Sequence, residues 1–180
     1  MKIENLERKV GIPDNVKVTI DRGIITLDGP IGNLSRLLYN PKVFIEQSGN
    51  NIILYAKKAT RREKRIMGTF VSHINNMIIG VTEGFTYYLK ICSGHFPMKV
   101  TLENDRVIVS NFFGEKIPRI ATVLDGVNVS IDGDIIKVFG IDLEKTGQTA
   151  ANMERSTRIT NRDRRVFMDG LWISSKPEIH

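Results

Sequence analysis

The chain has 180 residues, which suits one ordinary domain or two small ones, and a hydrophobic content of 41% excludes general disorder. The formal net charge of +6 favours a polyanionic partner only weakly. No apolar run approaches the roughly 18 residues of a membrane-spanning helix, and the charged N-terminus lacks the apolar stretch of a signal peptide. Neither a membrane contact nor secretion is therefore expected.

The chain repeats itself at an offset of 84 residues. The stretch IPDNVKVTIDRGII, from Ile12, lies over FPMKVTLENDRVIV, from Phe96, without a gap. The same offset places Arg22 over Arg106 and Gly49 over Gly133. One common offset for many matched positions is hard to obtain by chance, so we interpret the chain as a duplicated domain of roughly 80 residues. The predicted repeats are 1–90 and 91–180.

Each repeat begins with strand patterns and ends with a helix. Alternating apolar residues in VKVTI and MKVTL predict strands, and each repeat then continues through two predicted hairpins. The hairpin stretches are NVKVTIDRGIITL, VFIEQSGNNIILYA, VTLENDRVIVSN and VNVSIDGDIIKVFG. The predicted fold class is α+β, with two tandem duplicated domains that each pack an antiparallel β-sheet against one α-helix.

The two predicted helices differ in their apolar stripes. The first has a full stripe at three- and four-residue spacing, which favours core packing over a partner-binding groove: Ile66, Met67, Phe70, Val71, Ile74, Met77 and Ile78. The second has a thinner stripe of Ala150, Met153 and Thr157. Its small residues, including Gly147, would allow close approach either by the neighbouring sheet or by a phosphate backbone, and the sequence leaves both open.

Two clusters of basic residues stand out. The first, at the start of the first helix, consists of Lys57, Lys58, Arg61, Arg62, Lys64 and Arg65. A solvated helix end and a nucleic-acid contact explain it equally well. The second gathers five arginines into eleven residues: Arg155, Arg158, Arg162, Arg164 and Arg165. Because flanking structure is predicted on both sides, these arginines are expected on an ordered surface, where guanidinium groups suit phosphate.

Catalytic chemistry has little support in the sequence. Cys92 and His95, in CSGHFP, are three residues apart and could hint at a thiolate–imidazole pair, but no third group or oxyanion motif is recognisable. One cysteine supplies too few ligands for a zinc site and indicates a reducing compartment, so a cytoplasmic protein is predicted. No glycine stretch matches a nucleotide-binding loop. We therefore predict no catalytic residue, no metal, no cofactor and no small-molecule substrate.

Five ordered blocks resemble one known family over nearly the whole chain. The blocks HINNMIIGVTEGF, HFPMKV, NFFGEKIPR, GQTAANMERSTR and RDRRVFMDGLW are similar to the large-subunit ribosomal protein numbered six in bacteria and nine in eukaryotes, and most similar to its archaeal form. The resemblance implies a non-catalytic constituent of the large subunit. It also implies binding to large-subunit ribosomal RNA (rRNA) near the sarcin–ricin loop, where translation factors dock.

The resemblance further implies that the second domain carries the main RNA contact, while the first faces outward to neighbouring proteins at the stalk base. Carried onto this sequence, the expected RNA-binding residues are His95, Lys116, Arg119, Gln148, Thr149, Asn152, Arg155, Arg158, Arg162, Arg164 and Arg165. The cluster that begins at Lys57 is then a secondary basic patch. The competing hypothesis is a protein–protein module in which the arginines dock an acidic partner.

Overall fold

The computed structural model describes residues 3–163 and 165–177 and divides the chain into two compact units between Gly84 and Phe85. The boundary expected from sequence, between positions 90 and 91, lies six residues after this break. Strand Phe85–Cys92 belongs wholly to the second unit, because both of its neighbouring strands lie there. None of the described helices is long and apolar enough to cross a membrane.

Residues 3–84, the described part of the first unit, form six strands and one long helix. Its elements are β1 (Ile3–Gly11), β2 (Lys17–Asp21), β3 (Ile24–Asp28), β4 (Asn33–Leu37), β5 (Phe44–Ser48), β6 (Asn51–Ala59) and α1 (Arg61–Thr82). The strands form two antiparallel sheets, ordered β1-β6-β5 and β2-β3-β4.

The described residues of the second unit form seven strands, one α-helix and a short 3-10 helix at Phe112–Gly114. Its elements are β7 (Phe85–Cys92), β8 (Lys99–Glu103), β9 (Arg106–Ser110), β10 (Arg119–Thr122), β11 (Val127–Asp132), β12 (Ile135–Gly140), α2 (Leu143–Ser156) and β13 (Gly170–Ser175). The sheets are ordered β10-β9-β8 and β11-β12-β7-β13. The predicted α+β class is confirmed, and each unit distributes its strands over two sheets where the sequence predicted one. Alternation shows that a strand has a buried face, but it does not show which strand is its neighbour.

All four predicted hairpins are present. The β2–β3 turn consists of Arg22 and Gly23, whose φ angles of 47° and 85° are the positive values that a type I′ hairpin turn requires. The other pairs, β5–β6, β8–β9 and β11–β12, are likewise joined by two-residue turns. Gly49 and Gly133 occupy the first turn position of their hairpins, with φ angles of 57° and 55°.

The repeat spacing is not constant, which corrects the predicted uniform offset. Gly49 and Gly133 are 84 residues apart, as expected, but the first turn begins at Arg22 in one unit and at Asn104 in the other, which is 82 residues. The buried residues of β3 and β9 keep this shorter spacing, for example Ile25 and Val107. The gapless match of Arg22 with Arg106 therefore paired a turn residue with a strand residue. In two β-rich stretches, a two-residue shift preserves the alternation and so escapes notice.

Each helix buries the predicted stripe against its own sheets. In α1 the side chains of Met67, Ile74, Met77 and Ile78 are buried, in α2 those of Ala150 and Met153 are buried, and so is Thr157, the residue that follows α2. The core-packing interpretation of the α1 stripe is thus confirmed, although Ile66, Phe70 and Val71 are only half-buried. In the second unit, the buried residues between helix and sheets include Leu89, Val107, Val109, Phe112, Ile136, Val138 and Leu171.

The small residues of α2 allow the sheet to approach. A Cβ atom on Gly147 would lie 2.9 Å from the Tyr87 hydroxyl oxygen, and Ala150 is completely buried. The sequence left open whether these small residues face the neighbouring sheet or a phosphate backbone. At these two positions they face the protein's own sheet.

Candidate nucleic-acid interface

Three loop segments of the second unit that are far apart in sequence lie side by side. The loop after β7 contacts the segment before β13, since His95 Nδ1 lies 2.6 Å from Asp169 Oδ2. The loop between β9 and β10 contacts the same segment, which joins α2 to β13, since Arg162 Cζ lies 5.2 Å from the ring centroid of Phe113. The motifs HFP, NFFGEKIPR and RDRRVF, noted separately in the sequence, therefore form one surface.

Asp169 fastens the loop after β7 to the segment before β13. Its side chain is buried, and Oδ1 accepts hydrogen bonds from the backbone N–H groups of Gly94 and His95 at 2.6 and 2.9 Å. Burial acts to raise the pKa of Asp169, but the hydrogen bonds from His95 and Gly94 outweigh it, so the pKa lies below its ordinary value. The carboxylate is therefore charged at neutral pH and fixes the position of the His95 ring.

His95, Phe113 and Phe167 form an aromatic cluster on this surface. The ring centroid of His95 lies 4.8 Å from that of Phe167 and 6.2 Å from that of Phe113. The guanidinium of Arg162 lies over both phenylalanine rings, 5.0 Å from Phe167 and 5.2 Å from Phe113. Such distances are typical of cation–π contacts. Sequence reasoning missed Phe113, Phe167 and Asp169, although aromatic residues that alternate with basic ones in both motifs were an available signal.

Arg119, which the resemblance predicted as an RNA contact, is bonded to other parts of the second unit. Its Nε and Nη2 donate to the Glu115 carboxylate at 2.8 and 2.6 Å. Its Nη1 donates to the carbonyl oxygens of Ser156 and Arg158, both at 3.1 Å, and its Cζ lies 4.2 Å from the Phe112 ring centroid. These bonds use most of the five guanidinium donors, so Arg119 joins the β9–β10 loop to the end of α2.

Thr149, which the resemblance predicted as an RNA-binding residue, has a completely buried side chain. Its Oγ1 donates to the carbonyl oxygen of Lys145 at 2.8 Å and accepts from the backbone N–H of Leu124 at 3.2 Å. Whether a helical threonine is buried or exposed depends on the helix face on which it lies. Position 149 lies on the inner face with Ala150 and Met153.

The outer face of α2 carries the other predicted residues. Gln148, Asn152 and Arg155 follow one another at four- and three-residue spacing, so they share one side of the helix. Gln148 Nε2 donates to Asn152 Oδ1 at 2.8 Å, and Asn152 Nδ2 donates to the Thr122 carbonyl oxygen at 3.3 Å. Both amides are therefore held in fixed orientations beside the arginine run.

Five exposed basic side chains of the β9–β10 loop, the last turn of α2 and the segment between α2 and β13 form what we call the arginine surface: Lys116, Arg155, Arg158, Arg162 and Arg165. Arg165 is paired with Asp163, with Nη2 and Oδ2 2.8 Å apart. The hydrogen bond from Arg165 lowers the pKa of Asp163, which is thus ionised at neutral pH. The predicted residue Arg164 lies outside the described residues.

Large apolar side chains are exposed within the same loops. The exposed fraction is 81% for Ile117 and 62% for both Val166 and Met168. Exposed apolar side chains of this size next to basic residues are typical of a surface that another molecule covers. These side chains make the loops around the arginine surface a candidate interface.

A thiolate–imidazole pair of Cys92 and His95, at which the sequence hinted, would need a contact between the two side chains. Asp169 does supply the orienting group for His95 that the sequence did not reveal. Among the described residues, however, no hydrogen bond joins the Cys92 sulfur to the His95 ring, and Cys92 is a half-buried residue at the end of β7. The His95–Asp169 pair orders the loop after β7.

The secondary basic patch of the first unit lies where α1 begins. The six side chains of the patch are all exposed, and four of them stand in the first two turns of the helix. The N-terminal end of a helix carries a partial positive charge, so each nearby cation destabilises it by about 0.3–1 kcal/mol. An anion bound at this end would offset that cost.

Glu63 completes the capping box of α1, whose N-cap residue is Thr60. Its carboxylate accepts hydrogen bonds from the Thr60 hydroxyl and from the Thr60 N–H, the latter at 2.8 Å. These bonds, the hydroxyl one foremost, lower the pKa of Glu63 to about 2. Its side chain is buried, and its Oε1 lies 3.7 Å from the Nζ of Lys42, which is not a residue of the patch.

We expect Glu63→Gln to remove an acid-sensitive part of the stability of the first unit. Because the folded-state pKa is depressed from 4.5 to about 2, the wild-type advantage is complete above about pH 4.5 and disappears as the pH falls to 2. Hydrogen exchange of the α1 amides, measured from pH 6 to pH 2, follows this difference. Glu4→Gln, at an exposed position of β1, is the matched control, and a Glu63→Gln deficit that stays constant with pH would contradict the assignment.

Comparison with known proteins gives one consistent result. The family described as Ribosomal protein L6 matches the chain twice, at residues 12–84 and 96–170. The protein named large ribosomal subunit protein uL6 from Methanobrevibacter smithii is 42% identical over 171 residues, which cover 95% of this chain and 96% of that protein. Those from Archaeoglobus fulgidus and Methanosarcina mazei are 44% and 39% identical, covering 95% and 97% of this chain and 90% and 99% of their own lengths.

Proposed function

Since the chain belongs to the ribosomal protein L6 family, we propose that its second unit binds large-subunit rRNA near the sarcin–ricin loop and supports the region where translation factors dock. Family membership makes the chain a structural, non-catalytic constituent of the large ribosomal subunit in the cytoplasm. The resemblance noted in the sequence is thereby confirmed, as is the internal duplication.

The observation that carries the proposal is the arginine surface. Its exposed guanidinium groups repel one another, and only Arg165 has an ion-pair partner among the described residues of that surface. Rigid supports at Arg119 and Asp169 hold the surface in place without RNA. RNA phosphates would neutralise the repulsion, and the release of condensed counterions would favour binding.

The first unit is proposed to face outward, toward neighbouring ribosomal proteins at the stalk base. Support comes from apolar side chains exposed around the end of β4, where the exposed fraction is 63% for Leu37 and 69% for Tyr39. Such side chains suit a protein neighbour better than a phosphate backbone. The basic patch at the start of α1 then offers a secondary contact to rRNA.

Directed hydroxyl-radical probing would test both assignments. In a Cys92→Ser background, an Fe(II) chelate is attached to a cysteine placed at Lys116 or at Tyr39, two exposed positions in different units. After incorporation into large subunits, we expect the Lys116 probe to cleave rRNA around the sarcin–ricin loop. The Tyr39 probe should cleave only rRNA of the stalk base.

The Cys92→Ser protein treated with the same chelate shows the background cleavage. Cleavage around the sarcin–ricin loop from the Tyr39 probe alone would reverse the proposed roles of the two units. Cleavage of neither region from either probe would place the protein elsewhere on the subunit and overturn the proposal.

A further inference from the structure

We propose that the aromatic cluster binds an unpaired nucleobase by stacking, so that the second unit recognises a looped-out nucleotide in addition to backbone phosphates. The inference rests on the proposed function and deepens it. It assigns a binding role to Phe113 and Phe167, which neither the motifs nor the charge distribution had indicated.

The rings are arranged as a preformed platform. His95, Phe113 and Phe167 contact one another at centroid distances of 4.8, 5.9 and 6.2 Å. None of the three is fully buried, and the His95 side chain is 40% exposed. A nearby ring, that of Phe96, is 45% exposed. Aromatic rings so close to water are a cost for an isolated domain, and a stacked base would remove it.

The backbone holds the platform in an unusual conformation. Asn111 and Phe113 have positive φ angles of 59° and 51°, which side-chain-bearing residues adopt rarely, and least readily when bulky like phenylalanine. Asn111 Nδ2 donates to the Pro97 carbonyl oxygen at 2.9 Å and so links this turn to the loop that carries His95. Strain of this kind is kept where surrounding contacts enforce it, commonly at ligand sites.

The electrostatics also favour a base over a lone phosphate. Arg162 directs its guanidinium toward the faces of Phe113 and Phe167, so part of its interaction is already with π systems. A base that stacks beside it gains both ring–ring and cation–π contact, while its own phosphate meets the remaining arginines. Proteins that recognise irregular RNA combine stacking and charge in this way.

The test compares two RNA probes and the full-length protein. One probe is an RNA duplex of about 20 base pairs, roughly the length that dsRNA-binding domains span. The other is the same duplex with a single unpaired 2-aminopurine, whose fluorescence falls when it stacks. We expect the wild-type protein to bind the bulged duplex roughly tenfold more tightly and to quench its fluorescence, since one stacked base contributes about that much.

The variants separate stacking from charge. Phe167→Leu and, separately, Phe113→Leu should abolish the preference and the quenching while leaving the salt dependence of binding unchanged. Phe167→Trp should retain both. Arg155→Gln should weaken binding to both probes equally and reduce the salt slope. Phe44→Leu, an exposed aromatic residue of the first unit stacked on Tyr55 at 5.3 Å, is the matched control and should behave as wild type.

Each outcome decides one question. Equal affinity for the two probes without quenching would overturn the stacking inference and leave the proposed function standing. Binding to neither probe at low salt would overturn both. If one leucine variant has a melting curve that shows unfolding, the other variant and the tryptophan replacement still decide the stacking question.

Discussion

Replacing Lys116, Arg155 and Arg158 together by glutamine is expected to weaken binding to an rRNA fragment that carries the sarcin–ricin loop by about 100-fold at moderate salt. All three side chains are exposed, and no ion pair links them to another described residue. Each loses a charge-assisted hydrogen bond to phosphate, which is a strong contact for its size. The slope of affinity against salt concentration should fall by about one for each residue.

The measurement is fluorescence anisotropy of the labelled fragment between about 50 and 200 mM salt, where phosphate contacts dominate the change in affinity. The matched control replaces Lys17, Lys99 and Lys137, which are exposed lysines on the strands β2, β8 and β12, by glutamine. It removes the same net charge from elsewhere. If the control weakens binding as much as the test variant, affinity reflects net charge alone, and the arginine surface is not the binding site.

Arg119→Gln is expected to lower the free energy of unfolding of the second unit by about 2–4 kcal/mol. The change removes charge-assisted hydrogen bonds to Glu115 and bonds to the carbonyl oxygens of Ser156 and Arg158. It also removes the guanidinium from the Phe112 ring. The side chain of Arg119 is only 28% exposed, so water replaces these contacts poorly.

Trp172, the only tryptophan of the chain, lies in β13 and reports unfolding of the second unit by its fluorescence in a denaturant titration. Lys116→Gln is the control, because it changes one exposed cation of the same loop and should leave the midpoint unchanged. If Arg119→Gln unfolds like wild type but binds RNA weakly, then Arg119 contacts RNA directly, as its place in the GEKIPR motif first indicated.

The same arginine also links stability to pH. The hydrogen bond from Arg119 lowers the pKa of Glu115 below its ordinary value, so this pair stabilises the folded chain at neutral pH and loses its contribution as the pH falls through that lowered pKa. The Arg119→Gln deficit should therefore be largest at neutral pH and should shrink in acid.

The hairpins and helices could be predicted from local pattern. Alternation in VKVTI, the glycine at the β11–β12 turn, and the three- and four-residue spacing of the α1 stripe are properties of neighbouring residues. Each can be recognised within a short window of sequence, because the pattern of apolar and turn residues is local. The duplication was visible for the same reason, although the two-residue change in its spacing was not.

The candidate site was predictable only as a region. The blocks HFP, NFFGEKIPR and RDRRVF all belong to the surface that the structure assembles. Their side chains nevertheless have different roles: Arg158 is exposed, while Arg119 is bonded to carbonyl oxygens 37 and 39 positions away. A motif gives the residue type, but it does not give the partners that occupy its donors.

What the sequence by itself determined is thus the α+β fold class, the doubled unit and the segments that carry positive charge. The tertiary structure alone decided that Thr149 is buried, that Asp169 orders His95, and that Phe113 and Phe167 lie together under Arg162. The physical reason is the range of the interactions. Backbone pattern and hydrophobic periodicity act over a few residues, whereas hydrogen-bond satisfaction and ring packing at this surface join positions from 94 to 169, which only the folded chain brings together.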